Sequence, residues 1–589
     1  MQVYKAPVEE MRFQLEAFGY EELASLEALS AYDMETVVAM LEQSGTFMRE
    51  TLLPTNRVGD QQGLKWDPDT GAVTTPDGFK EAYAKMVENG YVGLGGPADF
   101  GGGGAPQTVA ALVSEMSTAT NKSLCMCPGL THGLIEALEA HGTEEQKRTW
   151  LPNLVSGQWS GTMCLTEPQC GTDLGLIRTK AVPDGDVYRL SGTKIWITFG
   201  EHDLTENIVH FVLARLPDAP PGIKGISVFL VPKITLDGER NAIKCVGLEH
   251  KMGIHGSPTC VMEMENAVGY LVGEPHKGMR SMFTMMNRAR LFVGLEGIAL
   301  GEIAYQTALE FAKDRRQSRA LDPKKRDENA PADTILVHPD VRRMLLNIKS
   351  TTEGMRGLST WVSILLDTAL HHPDENERQR CDDLVALLTP VIKSYFTDQG
   401  FQNISEAMQV CGGAGYTTDW SIEQYMRDAR IAQIYEGTNH IQALDLVGRK
   451  LPLHGGRLMQ GFANEVTQLI RSTKDDAELA PYVAHLKASS KQLTEVTMEL
   501  AQKGAEDPET AGAVASNYLN LFALTALAFS WVRQVQHAKA KGGKLAGAKL
   551  KTARYFFEVI LPQREALAAT IRAGKAPIMD VTDEELEVA

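Results

Sequence analysis

The stretch Ile208-Val-His-Phe-Val-Leu-Ala214, followed by Gly225-Ile-Ser-Val-Phe-Leu-Val231, decides the fold class of this 589-residue chain. Both segments are short and rich in β-branched or aromatic residues, and Pro, Gly and Asp separate them, which is the pattern of strands joined by turns. Three similar segments lie nearby, at Val187–Leu190, Lys194–Thr198 and Cys260–Met264. No helical segment alternates with them, so a parallel Rossmann sheet is disfavoured. We predict a β domain, a barrel or a sandwich.

The sequence on both sides of this region has helical periodicity, with apolar residues recurring at intervals of three and four. Charged residues without periodicity at Ala320–Pro339 predict a loop. The predicted helices after the β region are Met282–Asp314, Val341–Leu370, Cys381–Val410, Glu436–Arg449, Leu458–Ser472, Pro481–Ala501, Thr510–Lys539 and Gly547–Ala573. We therefore predict an α+β chain of four domains: an N-terminal helical domain (1–160), the β domain (161–278), a helical bundle (279–450) and an additional C-terminal helical domain (451–589).

Composition narrows the class of protein. With 43% hydrophobic and 23% charged residues the chain is globular, and its net charge of −17 argues against a general polyanion binder. The eight scattered cysteines suit reduced thiols, so we expect a cytoplasmic protein. Cys125 and Cys127 stand near His132, but no second ligand pair has a zinc-like spacing, and we predict no metal. Phe522–Val532 is about half as long as a membrane-spanning helix, so we predict no span.

One segment of the C-terminal helical domain, which we call the tail, is basic although the chain as a whole is acidic. Val532–Arg554 contains seven basic residues and no acidic one. The segment is interpreted either as a solvated helical face or as an interface or anion site, and the sequence leaves both interpretations open.

Two segments carry candidate chemistry. In the first, Gly412, Gly413 and Gly415 allow the backbone to approach a ligand closely, and Glu436 stands just before a helical pattern. A carboxylate there is either a general base or a helix cap. The second runs from Met163 to Asp173, with Trp196 and Thr198 some thirty residues on. On a regular strand these last two share a face, which suits a flat cofactor but equally suits plain barrel surface.

Together these segments resemble the acyl-CoA dehydrogenase family over about residues 40–450. The motifs that carry the resemblance are Leu165-Thr-Glu-Pro-Gln-Cys-Gly-Thr-Asp173, Lys194-Ile-Trp-Ile-Thr198, Lys251-Met-Gly-Ile-His-Gly-Ser-Pro-Thr259, Asp314-Arg-Arg-Gln317, Gln409 with Gly412-Gly413, and Met426-Arg-Asp428 with Tyr435-Glu-Gly-Thr438. With its helical tail, the chain is most similar to the large members that act on 3-(methylthio)propanoyl-CoA in dimethylsulfoniopropionate demethylation.

The resemblance implies FAD as the cofactor. Thr166 and Thr198 would hydrogen-bond the flavin, Trp196 would cover one face of it, and Arg315 and Gln317 would receive its pyrophosphate and adenosine from a neighbouring subunit. A site shared in this way implies an oligomer, and we expect a homodimer, with a tetramer as the alternative. The full set of predicted cofactor residues is Met163, Leu165, Thr166, Gly171, Thr172, Trp196, Thr198, Arg315, Gln317, Gln409, Gly412, Gly413, Thr438 and His440.

The resemblance also implies the reaction, an α,β-dehydrogenation of an acyl-CoA to the 2,3-enoyl-CoA. Glu436 matches the family's catalytic base, while Ala289 fills the alternative base position on the long helix and cannot accept a proton. The predicted substrate-binding residues are Thr172, Asn287, Arg290, Glu436 and Gly437. Electrons would pass to an electron-transferring flavoprotein.

Other functions stay open at this point. A medium- or long-chain fatty acyl-CoA is the alternative substrate, and an acyl-CoA oxidase shares nearly every motif. A DNA-binding flavoprotein of the same fold is a more distant alternative. It is disfavoured by the intact Glu436 and by the tail, which is neutral overall with 16 acidic and 16 basic residues from Leu451 onward. Ser318-Arg319 and His440 depart from the family's usual residues, which leaves the adenine end of the site less well defined.

Overall fold

The computed structural model describes residues 2–588. The chain forms two compact units, neither of which is continuous in sequence. Unit 1 comprises Met1–Gly45, Gln107–Glu115 and Val293–Ala589, and unit 2 comprises Thr46–Pro106 and Met116–Phe292.

Helices and strands follow the predicted order of helical, β and helical regions. The helices are α1 Val8–Phe18, α2 Tyr20–Ala24, α3 Met34–Phe47, α4 Leu53–Gln62, α5 Phe79–Glu88, α6 Gln107–His141, α7 Glu144–Val155, α8 Gly278–Asp314, α9 Pro339–His371, α10 Glu375–Cys411, α11 Gly413–Tyr416, α12 Ile422–Arg430, α13 Asn439–Asp445, α14 Arg457–Ser472, α15 Ala480–Glu506, α16 Pro508–Lys541, α17 Gly543–Tyr555, α18 Gln563–Ala573, α19 Ala576–Met579 and α20 Asp583–Leu586. The strands are β1 Lys65–Trp66, β2 Val73–Thr74, β3 Trp159–Cys164, β4 Lys180–Asp184, β5 Val187–Thr198, β6 Asn207–Arg215, β7 Ile226–Pro232, β8 Ile243–Leu248 and β9 Thr259–Val272.

Unit 2 is built around a barrel. The pairings β6–β4, β4–β5, β5–β9, β9–β7 and β7–β6 close a ring. Outside the ring, β3 pairs with β6 in parallel, and β8 pairs with β9 in the antiparallel direction. Strand β7 is buried at every position and β6 at every position but its last, because both faces of each strand are covered. The predicted β domain is therefore confirmed, and the ring of pairings selects the barrel over the sandwich.

The strands differ in detail from those predicted. Val187–Leu190 and Lys194–Thr198 form the single strand β5, because the three residues between them, Ser191 to Thr193, also pair with β9. Five strands were missed: the two-residue strands β1 and β2, and β3, β4 and β8 of the barrel sheet. Strand β3 reads Trp-Ser-Gly-Thr-Met-Cys and β4 contains Pro183, so neither carries the β-branched alternation on which strand prediction depends.

In unit 1, the helices α8, α9 and α10 form the core of a bundle. Two glycines set the distance between α8 and α10: a Cβ on Gly297 would lie 2.0 Å from the carbonyl oxygen of Phe396, and one on Gly400 would lie 2.5 Å from the Cα of Gly297. Only glycine permits this approach of two helix backbones. The contact fixes α10 against α8 close to the residues that hold the candidate catalytic turn.

The predicted tail helices are confirmed, although the last one continues after Tyr555 as a π-helix, Phe556–Ile560, and breaks at Leu561 and Pro562 before α18. Among the described residues, α16 is the one helix long and apolar enough to cross a membrane, and 72% of its most apolar window is buried inside the protein. Its Trp531 donates to the carbonyl oxygen of Ser350 on α9 at 3.1 Å. Burial in the core of unit 1 accounts for its apolar character.

The basic segment of the tail is an interface within unit 1. Lys541 and His537 pair with Glu16 of α1, and Lys549 pairs with Glu10 of the same helix. Lys539 pairs with Asp476 at 2.6 Å and with Glu478 at 3.2 Å. Of the two interpretations of Val532–Arg554, the structure therefore favours an interface, formed with this chain's own first helix.

A buried charge cluster lies beneath this interface. The Lys549 ammonium, which is 1% exposed, contacts Glu10 and lies 2.9 Å from Glu353 on α9. One helical turn further, the Arg356 guanidinium pairs with Glu115 at 2.7 Å and with Glu302 at 2.8 Å. Isolated buried charges are unfavourable, so each of these groups depends on its partners. The cluster joins α1, α6, α8, α9 and α17 within unit 1.

Candidate active site

The loop after β3 in unit 2 is braced by a buried ion pair. Lys194 and Glu167 are 0% and 3% exposed and lie 2.8 Å apart, and the Lys194 ammonium also donates to the carbonyl oxygen of Leu165 at 3.0 Å. Glu167 further accepts from the backbone N–H and hydroxyl of Thr179, at 3.0 and 2.6 Å. Burial opposes ionisation of Glu167, but Lys194 and these hydrogen bonds outweigh it and lower the pKa of the carboxyl to about 2. The pair holds the predicted flavin-contacting loop in one conformation.

The two predicted flavin-contacting segments are also tied directly to each other. The N–H of Ile195 donates to the carbonyl oxygen of Thr166 at 2.9 Å. Met163, Leu165, Thr166 and Thr198 are half-buried, whereas Gly171 and Thr172 are exposed on the loop. In unit 2, Thr166 and Thr198 therefore lie on two segments that are hydrogen-bonded to each other, the loop after β3 and the end of β5.

Trp196 does not lie on a regular strand, so the alternation that would place it on the same face as Thr198 does not apply. From Lys194 to Ile197 strand β5 advances three residues while β9 advances two, from Met262 to Cys260, which is a β-bulge. Trp196 has a φ of 60° and is 59% exposed. The bulge re-aims the indole away from the barrel core and into the open, where a planar ligand has access to it.

Two predicted substrate-binding residues lie on the part of α8 that belongs to unit 2. Asn287 is exposed, whereas Arg290 is only 7% exposed. Arg290 is therefore a buried side chain and not an exposed residue of the helix surface. Its neighbour Arg288 pairs with Glu136 at 3.0 Å and lies over the ring of Phe292.

In unit 1, Arg315 and Gln317 lie on a short ribbon immediately after α8. The N–H of Gln317 donates to the carbonyl oxygen of Asp333 at 3.0 Å, and the N–H of Ile335 donates to that of Arg315 at 2.8 Å. The Asp333 carboxylate, 2% exposed, accepts from the backbone N–H groups of Ala320 and Asp327 at 2.7 and 2.6 Å. These bonds to the backbone lower the pKa of Asp333. The predicted loop is therefore ordered, and it leaves Arg315 and Gln317 exposed.

The glycine segment follows α10 in the same unit. Gln409, Gly412 and Gly413 are exposed, and a Cβ on either glycine would meet no heavy atom within 4 Å. The rings of Phe311, near the end of α8, and Trp420, beyond the glycines, meet edge to face with centroids 5.0 Å apart. The end of α8 therefore packs against the region that follows the glycines.

Glu436 lies in a tight turn before α13, not in the helix that was predicted to begin there. Glu436 and Gly437 have φ values of 57° and 86°, and the helix starts only at Asn439. A left-handed backbone is unfavourable for a residue with a Cβ, so the surroundings must hold it. The Thr438 hydroxyl accepts from the N–H of Ile441 at 3.3 Å and caps the helix. His440 is exposed and contacts the hydroxyl of Ser516 at 3.0 Å.

Three further side chains hold this turn. The Tyr435 hydroxyl lies 2.5 and 2.6 Å from the two carboxylate oxygens of Glu296 on α8. The amide of Gln442 donates to the carbonyl oxygen of Glu436 at 3.2 Å. Lys393 on α10, fully buried, donates to the carbonyl oxygen of Gly437 at 2.7 Å.

The sequence analysis missed Glu296, Lys393 and Gln442, although one signal was available. Lys393 is the one charged residue in the run Val391-Ile392-Lys393-Ser394-Tyr395-Phe396, which is otherwise apolar or weakly polar. A lysine inside an apolar run has to find an acceptor if the helix is buried.

Family models match four consecutive parts of the chain. The acyl-CoA dehydrogenase N-terminal, middle and C-terminal domains match residues 39–158, 162–267 and 276–451, and the acetyl-CoA dehydrogenase C-terminal-like domain matches residues 462–582. The chain is 40% identical over 581 residues to the 3-methylmercaptopropionyl-CoA dehydrogenase of Ruegeria pomeroyi, covering 96% of this chain and 97% of the relative. The chain belongs to the acyl-CoA dehydrogenase family.

Two other comparisons agree with this assignment. A broad-specificity linear acyl-CoA dehydrogenase of Mycobacterium tuberculosis is 33% identical over 611 residues, covering 100% of this chain and 98% of the relative. The solved structure of Caenorhabditis elegans ACDH-11 in complex with C11-CoA has a TM-score of 0.78 at 18% identity and covers 95% of this chain and 91% of its own, which shows a shared fold. As an acyl-CoA dehydrogenase, the protein is an FAD-dependent oxidoreductase.

The residues present fit FAD chemically. Unit 2 offers the half-buried hydroxyls of Thr166 and Thr198 and the exposed plane of Trp196, which suit a flat, heteroatom-rich ring. Unit 1 offers the exposed Arg315 guanidinium, which suits phosphate oxygens, and open backbone at Gly412.

Proposed function

We propose that this acyl-CoA dehydrogenase converts 3-(methylthio)propanoyl-CoA to 3-(methylthio)acryloyl-CoA in dimethylsulfoniopropionate demethylation. The observation that supports this substrate is the 40% identity to the Ruegeria pomeroyi enzyme, which extends over nearly the whole of both chains. The broad-specificity relative covers as much of the chain, but at 33% identity.

Glu436 is the proposed base. The reaction removes a proton from Cα and a hydride from Cβ of the acyl group, and FAD, when bound, supplies the acceptor for the hydride. The Glu436 carboxylate takes the proton, and its own backbone N–H polarises the thioester oxygen so that the weakly acidic Cα–H ionises. Ala289 supports this assignment because the other base position of the family carries no proton acceptor.

The geometry of the turn supports the same role. A base that acts on a carbon acid has to be oriented in advance, because a misplacement of about 1 Å lowers the rate by about 100-fold. The left-handed backbone at Glu436 is held by side chains from α8, α10 and α13. A carboxylate that served only to cap α13 would need none of these supports, and Thr438 already caps that helix.

Partners follow from the family. We propose that Thr172, Asn287 and Arg290 contact the CoA portion, and that an electron-transferring flavoprotein accepts the electrons. The exposed set Arg315, Gln317, Gln409, Gly412 and Gly413 is proposed to receive the FAD of a second copy, which makes the working form a homodimer.

The test is anaerobic bleaching of the flavin band near ~450 nm by acyl-CoA thioesters. We expect 3-(methylthio)propanoyl-CoA to bleach the wild type faster than butanoyl-, octanoyl- or palmitoyl-CoA does. The matched control is Glu436→Gln, which keeps the size of the side chain and cannot take the proton. We expect that variant to retain flavin and to bleach with none of the four.

Each contrary outcome has a defined meaning. Faster bleaching by a fatty acyl-CoA would replace the substrate and leave the enzyme class intact. Peroxide formed in air at the rate of turnover without an added acceptor would make the protein an oxidase. Bleaching of Glu436→Gln at the wild-type rate would refute the base, and DNA binding at physiological salt with no bleaching of the wild type would refute the proposed function.

A further inference from the structure

The turn that carries Glu436 contains two consecutive left-handed residues, Glu436 and Gly437, with φ values of 57° and 86°. The first of these has a Cβ, so the turn is not the intrinsic preference of the backbone. Side chains that hydrogen-bond to the peptide groups immediately after Glu436 therefore determine where its carboxylate points.

Lys393 on α10 makes such a hydrogen bond. Its ammonium is fully buried and donates to the carbonyl oxygen of Gly437 at 2.7 Å and to the side-chain oxygen of Asn439 at 2.8 Å. These acceptors lie on the turn and on the first residue of α13. One buried cation thus fixes the exit of the turn and the start of the following helix together, and bonds from a charged donor are stronger than neutral ones.

Asn439 completes the connection. Its amide nitrogen donates to Asp398 at 2.7 Å, to the Thr397 hydroxyl at 3.0 Å and to the carbonyl oxygen of Ser394 at 3.2 Å, all on α10. Burial raises the pKa of Asp398, while hydrogen bonds from Asn439 and Gln433 and the charge of Lys393 oppose that rise. The amide therefore links the Lys393 ammonium to the Asp398 carboxyl, and the whole assembly is anchored to one helix.

Helix α10, which anchors this assembly, is packed closely against α8. Close packing of Gly297 on α8 against Gly400 on α10 fixes the two helices next to each other. Helix α8 also carries Glu296, which holds Tyr435 on the other side of the turn. The turn is thus held before Glu436 from α8 and after it from α10.

We propose that Lys393 is a positioning residue for proton abstraction, acting through the Gly437 carbonyl and Asn439 to set the orientation of the Glu436 carboxylate. The proposal rests on the proposed role of Glu436 as the base. Lys393 does not touch the reacting atoms in this account; its charge stabilises the strained turn that presents the base.

Lys393→Met is the principal test, because methionine fills a similar space and cannot donate. In the flavin-loaded variant we expect kcat to fall ~100-fold with KM changed less than ~3-fold, since a displaced base slows the chemical step and leaves binding intact. The deuterium isotope effect at Cα should rise, because proton removal then limits turnover. Affinity for the enoyl-CoA product, measured by calorimetry, should stay within ~3-fold of the wild type.

The matched control is Lys349→Met, which removes another ammonium of unit 1, one that pairs with Glu353 on α9. We expect it to lower the melting temperature while leaving kcat and the isotope effect unchanged. Should Lys393→Met fail to fold, Asn439→Ala removes one of the two acceptors and leaves Lys393 paired with Gly437. For that variant we expect a kcat ~10-fold below the wild type with the same rise in the isotope effect.

Three results would overturn the inference. One is a folded, flavin-loaded Lys393→Met with kcat within ~3-fold of the wild type. The second is a loss of kcat without a rise in the isotope effect. The third is an equal loss of kcat in Lys349→Met, because the second and third results each show a general structural role. Glu436→Gln separates this failure from failure of the base itself: an inactive Glu436→Gln beside a normal Lys393→Met refutes the positioning role alone.

Discussion

The hydroxyl of Tyr435 lies 2.5 and 2.6 Å from the two carboxylate oxygens of Glu296, so the residue before the proposed base is fixed to the long helix α8. Burial, reinforced by the charge of Glu296, raises the pKa of Tyr435 well above its ordinary value. The hydroxyl therefore stays protonated at every working pH and acts as the donor.

Replacing Tyr435 by Phe should destabilise unit 1 by about 1–3 kcal/mol, because the Glu296 carboxylate loses a short hydrogen bond. Urea unfolding measures the difference. The double variant, Tyr435→Phe with Glu296→Gln, leaves no charged acceptor behind. We therefore expect its loss of unfolding free energy to be smaller than the sum of the losses in the two single variants. Additive energies would show that the pair is not coupled.

The ion pair between Glu167 and Lys194 should make unit 2 sensitive to acid. The pKa of Glu167 is lowered from 4.5 to about 2, so the pair contributes stability above pH 4.5 that is lost as the pH falls toward 2. The shift corresponds to about 3 kcal/mol. Unfolding measured by urea between pH 6 and pH 3 should show a steeper loss for the wild type than for Glu167→Gln, and equal slopes would contradict the assignment.

The interface between the basic segment and the first helix depends on Lys549. Lys549→Met leaves Glu10 and Glu353 without their shared buried cation, and we expect a loss of about 3–5 kcal/mol. Lys551→Met, two residues away and exposed, should change stability by less than about 0.5 kcal/mol. Thermal unfolding of the two variants provides the comparison, and similar melting temperatures would exclude a central role for the cluster.

The ribbon that carries Arg315 and Gln317 depends on Asp333. Asp333→Asn places an amide nitrogen among the backbone donors of Ala320 and Asp327 and removes the charge beside Arg319, so the ribbon should loosen. We expect FAD to be retained about tenfold more weakly, measured by flavin absorbance after dialysis, since one unsatisfied buried group accounts for that much. Asp322→Asn, on the exposed turn of the same loop, is the control and should keep its flavin. Equal flavin retention in both variants would show that the order of this loop does not affect cofactor binding.

Elements with a strong residue pattern could be predicted from the sequence, and elements without one could not. Helices α8, α9 and α10 run for 37, 33 and 37 residues, so their apolar periodicity repeats many times. Strand β3 has six residues, most of them small or polar, and carries no comparable signal. The start of α13 was placed too early because periodicity does not distinguish a helical residue from a left-handed one such as Glu436.

The candidate site was predictable where a motif carried it and not where packing did. Glu436, Thr166 and Trp196 stand in recognisable motifs, whereas the bulge at Trp196 depends on pairing with β9, which the sequence of β5 does not encode alone. Lys393 lies 43 residues before Glu436 and meets its turn only through the fold of the bundle. Contacts of that kind require the packed helices.

The pairing of the first helix with the basic segment has a consequence for synthesis of the chain. Glu10 and Lys549 are separated by 539 positions, and translation at ~5–20 residues per second spends roughly 30–110 s between them. Throughout that interval the nascent N-terminal helix has no access to its final neighbours on α16 and α17. Unit 2, whose larger stretch is complete at Phe292, can assemble on the ribosome, while unit 1 reaches its native state only when translation is nearly finished.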